Sequence, residues 1–238
     1  MQLTQAFSTH SFQHVGEAER WVRGSLRYSD AAASNSTWAA LKKESRAQVG
    51  EDLWLYENWF FGMTNGVILE SGALDGDLLS TSRMFELLNW KSVHIGTRHG
   101  FYCLVSLICF SEADPENFSR LKVNRPNSIN INGGLCSDAR ILHYINRGPP
   151  TIRGFVEFMD PAFLKHWHGK LVNNSAAVND LPTIPCLPLK YLLKLLQLNH
   201  IDIWVLDVEG AEMSVLQGVD FEKVDFSTIV MEWYVSTF

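Results

Sequence analysis

The sequence predicts an α/β fold, a doubly wound and mostly parallel sheet with helices on both faces. Three observations point to it. The run Val67-Ile-Leu-Glu-Ser-Gly-Ala-Leu-Asp-Gly76 starts as a buried strand and ends in a turn with two glycines and two carboxylates. The segment after it, residues 77–88, has apolar residues at helical spacing, and strand, Gly-rich turn, helix is the opening unit of such sheets. A second apolar run, Ile201 to Leu206, also ends in carboxylates, at Asp207, Glu209 and Glu212. Finally, 238 residues with 46% hydrophobic and 19% charged side chains suit one domain with a modest extension.

Residues 1–45 read as an N-terminal extension without chemistry, with a loop at Ala31–Thr37 and a short helix from Trp38; the main domain is expected over 46–238. Glu51 and Asp52 open a helix whose first-turn carboxylates favour its dipole, with Leu55, Tyr56 and Trp59 on its apolar face. Gln48, Glu51 and Asp52 either lean over the mouth of the sheet or simply start and solvate that helix. In the central turn, Gly72 and Gly76 let a ligand approach the backbone closely. The spacing Glu-x-Gly-x-x-x-Gly is not a dinucleotide fingerprint, and no phosphate-binding lysine follows. Glu70 and Asp75 would repel a pyrophosphate yet accept from hydroxyls or an ammonium, as S-adenosylmethionine offers. The alternative is an ordinary αβ turn whose glycines only help strand and helix pack.

Lys91–Ile95 is a second strand. Residues 96–111 interrupt the pattern, and Glu112-Ala-Asp-Pro115 then starts a helix. Glu112 suits a ribose, accepting from both hydroxyls, or else serves the helix dipole. Ser128–Asp138 reads as a third strand with its exit turn, and Arg140–Ile145 as part of a hairpin. Residues 146–183 are loop-rich and are expected to face substrate. His166 and His168 form too small a set for a metal site, so none is expected. Pro188–Leu198 is an amphipathic helix, packing on the sheet or, alternatively, docking a partner. Asp207, Glu209 and Glu212 would repel one another unless they serve a ligand, a metal or a proton. A helix from Met213 closed by Gly218 and a fifth strand, Ser227–Trp233, complete the reading.

A net charge of −6 and a pI near 5.7 argue against non-specific nucleic-acid binding. Cys103, Cys109, Cys136 and Cys186 show neither metal-ligand spacing nor the pattern of a small disulfide-rich domain, so reduced thiols are expected. The N-terminus lacks a signal peptide and no apolar run reaches transmembrane length, which predicts a soluble, cytoplasmic protein.

With these pieces in order, the chain resembles the FkbM-type family of S-adenosylmethionine-dependent methyltransferases. The resemblance rests on Gln48-Val-Gly-Glu-Asp52, Leu69–Gly76 with Ser80-Thr-Ser82, Glu112-Ala-Asp-Pro115, Asn132-Gly-Gly-Leu-Cys-Ser137, Leu206-Asp-Val-Glu-Gly-Ala-Glu212 and Val230-Met-Glu-Trp233. It implies a class I, Rossmann-like methyltransferase that uses S-adenosylmethionine to methylate a hydroxyl of a sugar or small natural product. By analogy Glu70, Gly72, Ala73, Asp75 and Gly76 would bind the methionine end of the cofactor. Glu112 would hold the ribose, and Ser137 and Asp138 would lie near the adenine. The Asp207–Glu212 block would face the reaction centre; apart from the resemblance, methyl transfer to a hydroxyl calls for a base for its proton, and Asp207 or Glu209 could be that base. Two departures stand out. Residues 96–111 look inserted where the family runs its second strand straight into Glu112, as translated intron sequence would. The family fold has seven strands, so the chain looks truncated after the fifth. The competing expectation is a catalytically inactive binding or scaffold protein on the same fold. A dinucleotide oxidoreductase is disfavoured by the turn.

Overall fold

The computed structural model describes residues 35–96 and 115–231. The interruption after Gly96, Glu112, Cys103, Cys109 and the end of the expected fifth strand lie outside the described residues.

A five-stranded, wholly parallel sheet forms the centre, built from β1 (Val67–Ser71), β2 (Lys91–Gly96), β3 (Ile129–Asn132), β8 (His200–Leu206) and β9 (Asp225–Met231) in the order β3-β2-β1-β8-β9. The chain runs outward from β1 to β2 and β3, then returns to the other side of β1. A crevice therefore opens at the carboxyl ends of β1 and β8, where parallel sheets of this kind receive ligands.

Side chains alternate between the faces, as strand geometry requires. Ile68, Ile203 and Val205 pack against Leu41 of α1 (Asn35–Glu44) and Leu55 and Tyr56 of α2 (Glu51–Asn58), together with Phe85 and Trp90. Leu69, Trp204 and Leu206 pack against Leu189 and Leu193 of α6 (Leu189–Leu195) and Val215 of α7 (Glu212–Gln217). The amphipathic helix expected at 188–198 thus docks on the sheet, although it is shorter than its apolar pattern.

A second sheet was not foreseen. It is four-stranded and mixed, ordered β4-β7-β5-β6 from β4 (Gly134–Leu135), β5 (Arg140–Ile145), β6 (Gly154–Phe155) and β7 (Thr183–Leu187). The expected third strand and exit turn are therefore divided between two sheets, β3 in the first and β4 in the second. The loop-rich stretch carries α4 (Pro161–His168), capped by Asp160, and the short α5 (Ser175–Asn179).

Two further expectations are corrected. Residues 77–82 are not helical; only Arg83–Leu88 forms a 3-10 turn. The hydroxyls of Ser80 and Ser82 and the Thr81 amide turn to Glu70 instead, the local competition that draws Ser and Thr out of helices. The helix expected to close at Gly218 does so: Gly218 ends α7, with a φ of −81°. Glycine is needed there because a Cβ would press on the Cys136 carbonyl group, whose carbon lies 3.2 Å away. Cys136 and Cys186 are joined as a disulfide, with Cα atoms 5.9 Å apart across 50 residues. Pairing of Gly134 with Cys186 in the β4–β7 ladder brings the two sulfurs together, which spacing along the chain does not reveal. Among the described residues, no helix is long and apolar enough to cross a membrane.

Candidate active site

A cavity of about 380 Å³ opens at the carboxyl ends of β1, β8 and β9. That volume is within the range of small-molecule sites. Its floor is the junction of two strand tips. The Asp207 amide donates to the Ser71 carbonyl at 3.1 Å, and Gly72, at φ +89°, passes directly under the Asp207 carbonyl. A Cβ at position 72 would overlap that oxygen and lie 2.9 Å from its carbon. Only glycine permits both the dihedral and the approach.

Beyond Gly72 the turn is held by Glu70, which is 3% exposed. Its Oε1 accepts from the Thr81 amide at 2.8 Å, and its Oε2 accepts from Ser80 Oγ at 2.9 Å and Ser82 Oγ at 2.5 Å. Burial pushes the Glu70 carboxyl above the usual range, opposed by the Arg125 charge and by these hydrogen bonds. Asp75 turns inward on its own loop, accepting from the amides of Asp77 and Leu78 at 3.0 and 2.8 Å.

The rim comes from the segment before α2. Glu51 Oε1 accepts from Thr81 Oγ1 and Oε2 from the Val49 amide, both at 3.0 Å, while Ala47 bridges Leu79 in parallel. Gln48 and Glu51 do stand at the mouth. Asp52 does not line it. Asp52 is buried, and Ser45 Oγ donates to it at 2.9 Å. Desolvation raises its pKa, opposed by its bonds to Ser45 and Leu53.

The lining continues with Tyr144 of β5, Phe155 of β6, and Thr151 and Arg153 from the segment that joins these two strands. The two rings meet edge to face at 5.5 Å, and Arg153 Nε donates to the Gly148 carbonyl at 2.9 Å. The loop after β8 contributes Asp207 and Glu209. Glu209 has a φ of +51° and Gly210 one of +97°. Glu212 stands apart and caps this loop, accepting from the amides of Val208 and Gly210 at 3.1 and 3.3 Å. Among the described residues, no group of three or more His, Cys, Asp or Glu side chains is arranged to hold a metal ion.

Carboxylates and a close-approach glycine turn at the switch point of a parallel sheet suit a small polar ligand without phosphate. The profile of the methyltransferase FkbM domain matches residues 70–237, more than half of the chain. The chain belongs to the FkbM methyltransferase family. No curated protein and no solved structure matches it.

In this member of the family, Glu70, Gly72, Ala73, Asp207 and Glu209 share one cavity. Asp75 and Gly76 lie behind its wall. Ser137 and Asp138 are also off the cavity: the Ser137 amide donates to Ser214 Oγ at 3.2 Å, and Asp138 pairs with Arg140 at 3.3 Å. The lining residues not singled out in the sequence are Tyr144, Arg153 and Phe155. Tyr144 and Phe155 come together by pairing of β5 with β6, which the local sequence does not show, whereas Arg153 and Phe155 fall in the 146–183 stretch expected to face substrate.

Proposed function

We propose that this protein is an S-adenosylmethionine-dependent O-methyltransferase acting on a hydroxyl of a sugar or small natural product. One observation carries the reading: the Gly72 turn of β1 and the carboxylates after β8 line the same cavity. The donor set fits the cofactor, because carboxylates accept from hydroxyls and an ammonium where a pyrophosphate would be repelled. When bound, S-adenosylmethionine supplies an electrophilic methyl group. Gly72 and Ala73 would border its methionine end. Glu70 would support that end by holding the turn, since its two oxygens already hold Ser80, Thr81 and Ser82. Glu112 is proposed for the ribose on the strength of the family motif alone.

Asp207 and Glu209 line the cavity together with Tyr144 and Phe155, and Glu209 adjoins β6, where a Cβ at Gly154 would lie 3.4 Å from the Glu209 Cβ. Either carboxylate could take the proton of an acceptor hydroxyl, while the aromatic pair offers an apolar wall to the acceptor body.

The test is calorimetric titration of S-adenosylhomocysteine into the full chain and into a version lacking residues 96–111. Binding by both forms is the outcome expected if the extra segment loops clear of the cavity. Binding by the shortened form alone would keep the cofactor reading and make the segment an off-switch or defect. Binding by neither folded form would sink the cofactor assignment.

A further inference from the structure

Arg125 plays no part in the reading above, yet it is wholly buried beside the cavity turn. It follows α3 (Pro115–Asn124), and among the described residues its guanidinium reaches four groups. Nε donates to Glu86 Oε1 at 2.8 Å, Nη1 to the Gly76 carbonyl at 2.8 Å and to Ser80 Oγ at 3.0 Å, and Nη2 to Ser82 Oγ at 2.9 Å. Next to it, Asn124 Nδ2 donates to the Asp75 carbonyl at 2.8 Å, and Arg83 Nη1 donates to the Asn124 carbonyl at 3.1 Å. The aliphatic part of Arg125 presses on the turn as well, since a Cβ at Gly76 would lie 2.7 Å from Arg125 Cγ.

We propose that Arg125 is a positioning residue that holds the cavity turn, residues 72–82, in its ligand-receiving shape and through it sets cofactor affinity. The cofactor half of this inference rests on the function proposed above. The turn needs an external hold. Leu74 and Leu79 have φ of +47° and +58°, and Asp77–Ser82 has no helical ladder. Such backbone persists only where surrounding contacts over-determine it. Ser80 and Ser82 each face Glu70 and Arg125 at once, so two hydroxyls link a buried carboxylate to a buried guanidinium. A planar fork of five donors can serve a carbonyl, two hydroxyls and Glu86 together; a lysine ammonium cannot. Leu74, Leu78, Leu79 and Thr81 of the held turn line the cavity, while Arg125 itself does not.

The experiment compares the wild-type full chain with Arg125→Lys, Ser82→Ala and Ser82→Thr. It reads backbone amide exchange without ligand and S-adenosylhomocysteine affinity by calorimetry. Arg125→Lys and Ser82→Ala should speed exchange across 74–82 while leaving β8 and β9 as in wild type. Their affinity should fall roughly tenfold, as when the receiving shape is populated about a tenth of the time. Ser82→Thr keeps the hydroxyl and should restore both readouts. If Arg125→Lys does not fold, Ser82→Ala carries the comparison. Unchanged exchange in the turn, exchange that rises equally in β8 and β9, or faster turn exchange with unchanged affinity would each overturn the proposal. A wild-type chain that binds no S-adenosylhomocysteine, with turn exchange still raised in the variants, would support the clamp and remove the cofactor reading instead.

Discussion

An alanine at position 72 would have to break the contact on which the cavity is built. Two costs arise together. The residue sits at φ +89°, where a Cβ is strained by about 1–2 kcal/mol. The new methyl would also overlap the Asp207 carbonyl oxygen and stand 2.9 Å from its carbon, both rigid backbone atoms. Relief requires the tips of β1 and β8 to part. That would sacrifice the 3.1 Å bond from the Asp207 amide to the Ser71 carbonyl, worth about 1 kcal/mol. Overpacking adds about 1–3 kcal/mol, so the expected loss is about 3–6 kcal/mol. Gly50→Ala is the internal control. Gly50 has a similar φ of +81°, but nothing lies within 4 Å of its would-be Cβ, so only the dihedral cost of about 1–2 kcal/mol applies. Urea unfolding followed by tryptophan fluorescence measures both variants. If Gly72→Ala cost no more than Gly50→Ala, the claim that the two strand tips must touch at this point would be refuted.

Two further predictions concern carboxylates. Asp207→Asn and Glu209→Gln should leave S-adenosylhomocysteine affinity within about threefold, while one of them lowers methyl transfer to a hydroxyl acceptor by roughly a hundredfold or more. Full turnover by both variants would exclude either residue as the base. Asp52 titrates with its pKa raised above the ordinary value near 3.8, chiefly by burial. A folded acid with a raised pKa holds its proton more tightly than the unfolded chain does. Its stabilising contribution is full below the unfolded pKa and is lost as pH rises through the folded one. The stability of wild type relative to Asp52→Asn should therefore decline as pH rises from below 3.8 towards neutrality; a pH-independent difference in urea midpoints would count against this.

What the sequence by itself determined is local. Apolar runs at 67–71 and 200–206, each closed by carboxylates, mark β1 and β8, and the distance between two glycines marks the turn. Those signals sit within a dozen residues, as does the Gln48–Asp52 block at the rim, and with the other family blocks they were enough to place the chain among FkbM methyltransferases. Tertiary structure decided what depends on distant pairing. The second sheet could not be read because β4 has two residues and finds Cys186 some fifty positions away, and because Tyr144 and Phe155 face the cavity only once β5 and β6 pair. Residues 77–88 have helical spacing, but Glu70 takes the Ser80 and Ser82 hydroxyls and the Thr81 amide, and over 77–82 the helix yields to a buried polar network. In the sequence Arg125 is one cation among several, with Arg120 and Lys122 just before it at the end of an ordinary helix. Only when α3 packs beneath the turn does its guanidinium meet Ser80, Ser82 and Gly76, because a hydrogen-bonding fork acquires its meaning from the groups brought to it by the rest of the chain.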